Sequence, residues 1–125
     1  MTAPTLPDTL RALARLLPGR VRVEMAGDES EAWVYRYEAR RRGWHTVWWG
    51  GDRPAPHNLD ALEMALREEC DARGWHWQLG CGRSEVGDWD RLRVTVNWHD
   101  LPGGAPAHAL AVAALRWIET GGREA

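Results

Sequence analysis

The chain of 125 residues contains no phenylalanine and no lysine, one isoleucine (Ile118) and only two asparagines. A GC-rich genome disfavours the codons for Phe and Lys, and that bias accounts for their absence. All sixteen basic residues are therefore arginine. The only two cysteines, Cys70 and Cys81, form no CxxC pair. This excludes a disulfide framework and is read most simply as two free thiols in a reducing cytosol, with a Cys70–Cys81 bond as the lesser alternative. No segment approaches the ~20 apolar residues of a membrane span, and no apolar signal core follows a basic start. The expectation is a cytoplasmic protein with no membrane association. The formal charge of −2 excludes a bulk polyanion binder, because non-specific nucleic-acid affinity needs many phosphate-neutralising cations. That charge is uneven. Residues 1–57 carry nine Arg against seven acids, and residues 58–125 seven Arg against eleven.

What is present in excess is tryptophan, nine residues, which codon bias does not explain. Trp and Arg are enriched at recognition surfaces, where a rigid aromatic face and a planar five-donor fork bind at modest entropic cost.

The apolar spacing orders the chain. Leu6, Leu10, Leu13 and Leu17 form one helical stripe, stopped by Pro18-Gly19. Val21 and Val23 then alternate with Arg22 and Glu24 as a strand. In the next strand Trp33, Tyr35 and Tyr37 share one face, and Val34, Arg36 and Glu38 the other. Arg40-Arg41-Arg42-Gly43 reads as a hairpin turn into a third strand, Trp44 to Trp49. Asp52 to His57 reads as linker, the one point where a weak subdivision could fall. Asn58 is expected to cap a second helix with Leu59, Leu62, Leu66 and Cys70 inward, ended by Arg73-Gly74. Trp75, Trp77 and Leu79 share a face of a fourth strand, Gly80 to Asp90 reads as a polar loop, and Leu92, Val94, Val96 and Trp98 mark a fifth strand. Pro106 opens a third helix with Ala111, Leu115 and Ile118 inward. The prediction is a single α+β domain over residues 1–125. It has a mainly antiparallel sheet of about five strands with three helices, in the order α-β-β-β-α-β-β-α. Arg42-Gly43-Trp44-His45 recurs as Arg73-Gly74-Trp75-His76, and four residues are too few to establish a repeat.

Three segments share a pattern of helix, Gly-aromatic strand start, strand, and Ala-rich helix opened by Pro-Ala: 57–70 (His-Asn-Leu-Asp-Ala-Leu-Glu-Met-Ala-Leu-Arg-Glu-Glu-Cys), 73–79 (Arg-Gly-Trp-His-Trp-Gln-Leu) and 105–118. In this half of the chain (residues 58–119) the sequence resembles the phage ABA-sandwich family of small phage and prophage proteins. The resemblance implies a small accessory protein of a phage or mobile element, and it transfers no catalytic motif.

The residues themselves make no case for an enzyme or a cofactor. Cys70, His76, Cys81 and His99 lack the two close ligand pairs of a zinc site, so no metal is expected. Ser30 and Ser84, the only serines, sit in no nucleophile turn, and no Walker A or dinucleotide fingerprint occurs. Cys81 between Gly80 and Gly82 reads as an ordinary loop thiol. The aromatic–arginine stretch 33–49 is the stronger signal. Core packing is the favoured use of Trp33, Tyr35 and Tyr37. The adjacent Trp48 and Trp49 must point to opposite faces of a strand, so one of them is exposed. Trp48, Trp49, Trp89, Arg40, Arg41 and Arg42 are the candidate binding residues. The expected function is non-enzymatic, inhibitor-like binding of a host or defence-system protein through Trp/Arg anchors. The alternative is single-stranded nucleic-acid binding by the hairpin 33–49, where aromatics stack bases and guanidiniums hold phosphates. A homodimer through an exposed Trp-bearing sheet edge is a third arrangement compatible with the sequence.

Overall fold

The computed structural model describes residues 3–26, 29–37, 40, 42–50, 55–88 and 92–120. Helix α1 (Leu6–Leu16) starts where the Thr5 hydroxyl accepts the Asp8 N–H, with Pro7 in its first turn. Leu6, Leu10, Leu13 and Leu17 are buried, as their spacing predicts. Strands β1 (Val21–Ala26), β2 (Glu29–Arg36) and β3 (Gly43–Trp49) then form an antiparallel meander. Two residues of the expected linker, Ala55–Pro56, instead form strand β4 against Trp48 and Trp49, and the His57 N–H donates to the Val47 carbonyl at 3.0 Å. The remainder of that segment, 52–54, lies outside the described residues.

Helix α2 (Leu59–Arg73) buries Ala61, Leu62, Ala65, Leu66 and Cys70. Asn58 does not cap it with its side chain; the residue is left-handed at φ 46° and its carbonyl accepts from Ala61. Gly74, at φ 73°, closes the helix in the left-handed conformation that glycine adopts without a Cβ clash. The predicted loop 80–90 contains a strand. β5 (His76–Gly80) turns through Cys81 and Gly82, both at positive φ (54° and 75°), into β6 (Arg83–Gly87), which pairs with β7 (Arg93–Asn97). Two positive φ values are what a two-residue hairpin of right-handed twist requires. Ser84 and Val86 of β6 are fully buried; the Ser84 hydroxyl donates to the Pro106 carbonyl and accepts from the Trp98 indole. One turn of 3-10 helix (Trp98–Asp100) leads to α3 (Pro106–Glu119).

The α+β class and antiparallel pairing therefore hold. The single sheet of about five strands becomes two sheets, ordered β1-β2-β3-β4 and β5-β6-β7. Helix α1 packs on β1 and α2 on β2 and β3, while α3 packs on β6 and β7 and touches both other helices. The helices thus lie between the sheets. This explains α3, which is buried nearly all round: Ala107 to Ala114 and Trp117 are buried, whereas Leu115 and Ile118, expected to face inward, are only partly so. Its run of alanines lets a sheet and two helices approach closely. Each half of the chain is a helix followed by an antiparallel meander, of four strands in the first half and three in the second. Of the two Arg-Gly-Trp-His segments, the first runs from the β2–β3 turn into β3 and the second from the end of α2 into β5, so they occupy non-equivalent positions.

One buried polar contact joins the helices. His108 of α3 is 1% exposed, with Nε2 3.0 Å from the Thr9 hydroxyl of α1. Burial lowers its pKa below the ordinary value. Between that lowered native value and the unfolded value near ~6.5 the unfolded chain binds more protons, so stability falls as pH drops below about 6.5. Melting temperatures taken from pH 7.5 to 5 should fall more steeply for the natural chain than for His108→Gln. Parallel profiles would show that His108 does not titrate between the two states.

Candidate recognition surface

Strand alternation decides which side chains face the helices. On β1 and β2 these are Val21, Val23, Ala32, Val34 and Arg36; Ala32 and Val34 are 2% and 0% exposed. The expectation that Trp33, Tyr35 and Tyr37 fill the core is thus reversed. Small residues let the helices seat closely on the sheet, and the buried Arg36 is admitted because Glu68 of α2 lies 3.7 Å from its Nε. The three aromatics stand on the outer face of the sheet.

Neighbouring strands extend this face. Arg22 is opposite Trp33, and Tyr35 opposite Trp44. The Arg22 guanidinium lies 5.7 Å from the Trp33 ring centre and 6.0 Å from that of Trp44. Tyr35 meets Tyr37 and Trp44 edge-to-face at 5.1 and 5.3 Å. Its hydroxyl accepts from Arg42 Nε at 3.2 Å, which raises the Arg42 pKa. Tyr37 is 54% exposed and Trp44 41%; Trp33 and Tyr35 are half-buried.

A bulge sets the far end. Trp33 pairs with Thr46 and Ala32 with Trp48, so Val47 is an extra residue on β3. Val47 is fully buried, Trp48 packs against the core, and Trp49 is 53% exposed beside His57. Trp49 is accordingly the exposed member of the adjacent pair, and Trp48 is partly buried. Arg40 and Arg42 are exposed at the β2–β3 turn. Arg41 and Trp89 lie outside the described residues. Tyr37, Trp44 and Arg22 were missed as site residues; alternation had already grouped the aromatics, but it does not say which face the helices cover.

The base of the surface is held from beneath. Arg20, 2% exposed, donates from Nε to Glu69 at 3.1 Å and from NH1 to the Tyr35 carbonyl at 2.9 Å, and its guanidinium lies 4.1 Å from the Tyr37 ring centre. Glu68 accepts the Tyr37 N–H at 2.9 Å. Burial raises the Glu69 pKa, but hydrogen bonds from Arg73 and Arg20 outweigh it, and the net shift is downward. Aromatic rings on the face are therefore fixed to α2 through ionic and backbone contacts.

No comparable arrangement of reactive groups occurs among the described residues. Cys70 and Cys81 are both free thiols. Burial pushes the Cys70 thiol up to about 12, leaving it protonated at neutral pH, and Cys81 sits exposed at a hairpin tip. Among the described residues no group of three His, Cys, Asp or Glu is placed to hold a metal. Ser84 is enclosed and hydrogen-bonded. A cavity of about 380 Å³ between the N-terminal segment, β7 and α3 is lined by Asn97, Asp100 and Arg116, but Asp100 and Arg116 are exposed and no buried polar group converges there. No described helix is long and apolar enough to cross a membrane. The chain matches no family model, no curated protein and no solved structure.

Proposed function

We propose that this is a non-enzymatic binding protein whose recognition surface is the outer face of the first sheet, and that its partner is a protein. The observation that carries this reading is the placement of the aromatics. Aliphatic residues and Trp117 fill the core, while Trp33, Tyr35, Tyr37, Trp44 and Trp49 line the outer face of the first sheet with Arg22 beside them. Taking ~150–250 Å² for a large ring side chain, the three most exposed leave roughly 300 Å² of ring surface open, comparable to the largest apolar patch on an ordinary monomer, which is often functional. Trp, Tyr and Arg are the side chains that most often dominate protein interfaces. The face also mixes signs, with Glu24 and Glu31 on it and Glu24 paired to Arg22, which suits a protein better than a polyanion. The narrower role, a cytoplasmic, inhibitor-like phage or mobile-element protein directed at a host or defence-system protein, rests on the resemblance of residues 58–119.

Single-stranded nucleic acid is the second reading, favoured by one feature: Arg40 and Arg42 are exposed at the turn adjoining Tyr35, Tyr37 and Trp44. The two readings separate by substitution and salt. For a protein partner, Tyr37→Ala, Trp44→Ala or Trp49→Ala should each weaken binding by about 2 kcal/mol, roughly thirty-fold, with a shallow salt dependence. For nucleic acid, affinity should fall steeply with salt and be lost in an Arg40→Ala/Arg42→Ala variant. Affinity untouched by all three ring substitutions would remove this face from the account.

A further inference from the structure

The outer face has a polarity along its length. At the β1–β2 end, Glu24 and Glu31 are direct cross-strand neighbours, an arrangement of like charges that disfavours the sheet unless a cation compensates. Arg22 pairs with Glu24, but Glu31 has no ion-pair partner among the described residues. At the β2–β3 end Arg40 is exposed with no ion-pair partner among the described residues, and Arg42 is hydrogen-bonded to the Tyr35 hydroxyl. Trp33, Tyr35 and Trp44 lie between these ends, and Trp49 stands beside Glu31. Glu31 and Tyr37 are separated by about 20 Å of strand at ~3.3 Å per residue. Tyr35 sits near the midpoint, flanked by Tyr37 and Trp44.

A face that is acidic at one end, basic at the other and aromatic between them is complementary to itself when turned by 180°. A two-fold axis through the neighbourhood of Tyr35 would set the β2 strands of two copies antiparallel. It would place Arg40 and Arg42 of each over Glu24 and Glu31 of its mate, ring against ring at the centre. Two-fold interfaces use the same patch on both copies, so self-complementarity is what they require. We infer that a second copy of this chain covers the aromatic face of the first sheet, forming a two-fold dimer locked by reciprocal Arg40/Arg42–Glu24/Glu31 pairs. The inference rests on the same face being the recognition surface and identifies what occupies it when no other partner is bound. A patch of this size falls short of the ~800 Å² per partner of a standard stable interface, so the dimer is reversible, dissociating in the micromolar range. A heterologous partner would then compete with the second copy.

Sedimentation of the 14.2 kDa chain between about 1 and 200 μM tests this. The natural protein should shift towards twice the monomer mass as concentration rises. Arg40→Glu/Arg42→Glu makes both ends acidic and Glu24→Arg/Glu31→Arg makes both basic, so each variant alone should be monomeric. An equal mixture of the two should dimerise again, because every acidic end then meets a basic one. Trp44→Ala, which leaves the charges in place, should weaken the dimer at least ten-fold. A natural chain that stays monomeric throughout would overturn the inference, as would charge variants that dimerise alone or a mixture that does not. Capture of a heterologous protein by a monomeric wild type would overturn the dimer and leave the recognition surface standing. A confirmed dimer with no heterologous binding would uphold the inference and overturn only the reading that this face also takes a different protein.

Discussion

Replacing Arg20 by alanine should destabilise the protein by about 3–5 kcal/mol, the cost of breaking one side of a buried ion pair. For a chain of this length that is a fall of roughly 10–20 °C in Tm. The magnitude follows from what is left behind. Arg20 is 2% exposed and satisfies Glu69 and the Tyr35 carbonyl together. Its removal leaves the half-buried Glu69 carboxylate with Arg73 alone, strands the Tyr35 carbonyl, and takes the cation from the Tyr37 ring. Arg20→Lys keeps the charge but not the planar fork that reaches both acceptors, so an intermediate loss is expected. The contrast is Arg11→Ala, whose pair with Asp8 is 46% and 62% exposed and should be worth under about 1 kcal/mol. Denaturant titration of the three variants checks the ordering; equal small losses would show that the network beneath the face contributes little.

Gly87→Ala should be nearly as damaging, at about 3 kcal/mol, for a steric reason. A Cβ there would stand 2.5 Å from the Arg93 Cα and 2.5 Å from the Leu92 carbonyl oxygen. These are backbone atoms of the partner strand, so neither can swing aside as a long side chain would. Gly87 is opposite Arg93 at the end of the β6–β7 ladder, where the Asp88 N–H donates to Leu92 at 2.8 Å. Relief of the clash therefore means opening the hairpin. Gly19, with nothing within 4 Å of its would-be Cβ, serves as the control and should accept alanine with little change. Near-UV circular dichroism and a thermal melt distinguish the two. A Gly87→Ala protein as stable as the parent would mean that the two strands separate there at little cost.

The difference between these positions bears on how much of the molecule its sequence discloses. Three helices and the strands at 21–26, 43–49, 76–80 and 93–97 are readable from apolar spacing, because each has one face against the same interior. Strand β6 is not, because Arg83-Ser84-Glu85-Val86-Gly87 shows only one large apolar residue; its burial depends on a serine that bonds to the chain ahead of α3 and to Trp98. Its absence from the reading turned two sheets into one. The aromatic face was legible as a set, since Trp33, Tyr35 and Tyr37 alternate, but its direction was not. Size and apolarity favour rings inward, and what reverses this is Glu68, thirty-two residues after Arg36, which makes burial of an arginine tolerable. A partner that distant in sequence leaves no local periodicity. The bulge at Val47 is equally silent in the sequence, yet it decides that Trp49 and not Trp48 reaches solvent.

The most direct test of the central claim is a comparison of capture by the natural chain and by a Tyr37→Ala/Trp44→Ala/Trp49→Ala variant shown by circular dichroism to be folded. Both are tagged and exposed to nuclease-treated lysate of the native host, and retained proteins are identified by mass spectrometry. The account predicts a defined protein retained by the natural chain and absent from the variant. The same protein retained equally by both would contradict it, because the outer face of the first sheet would then not be the surface that binds.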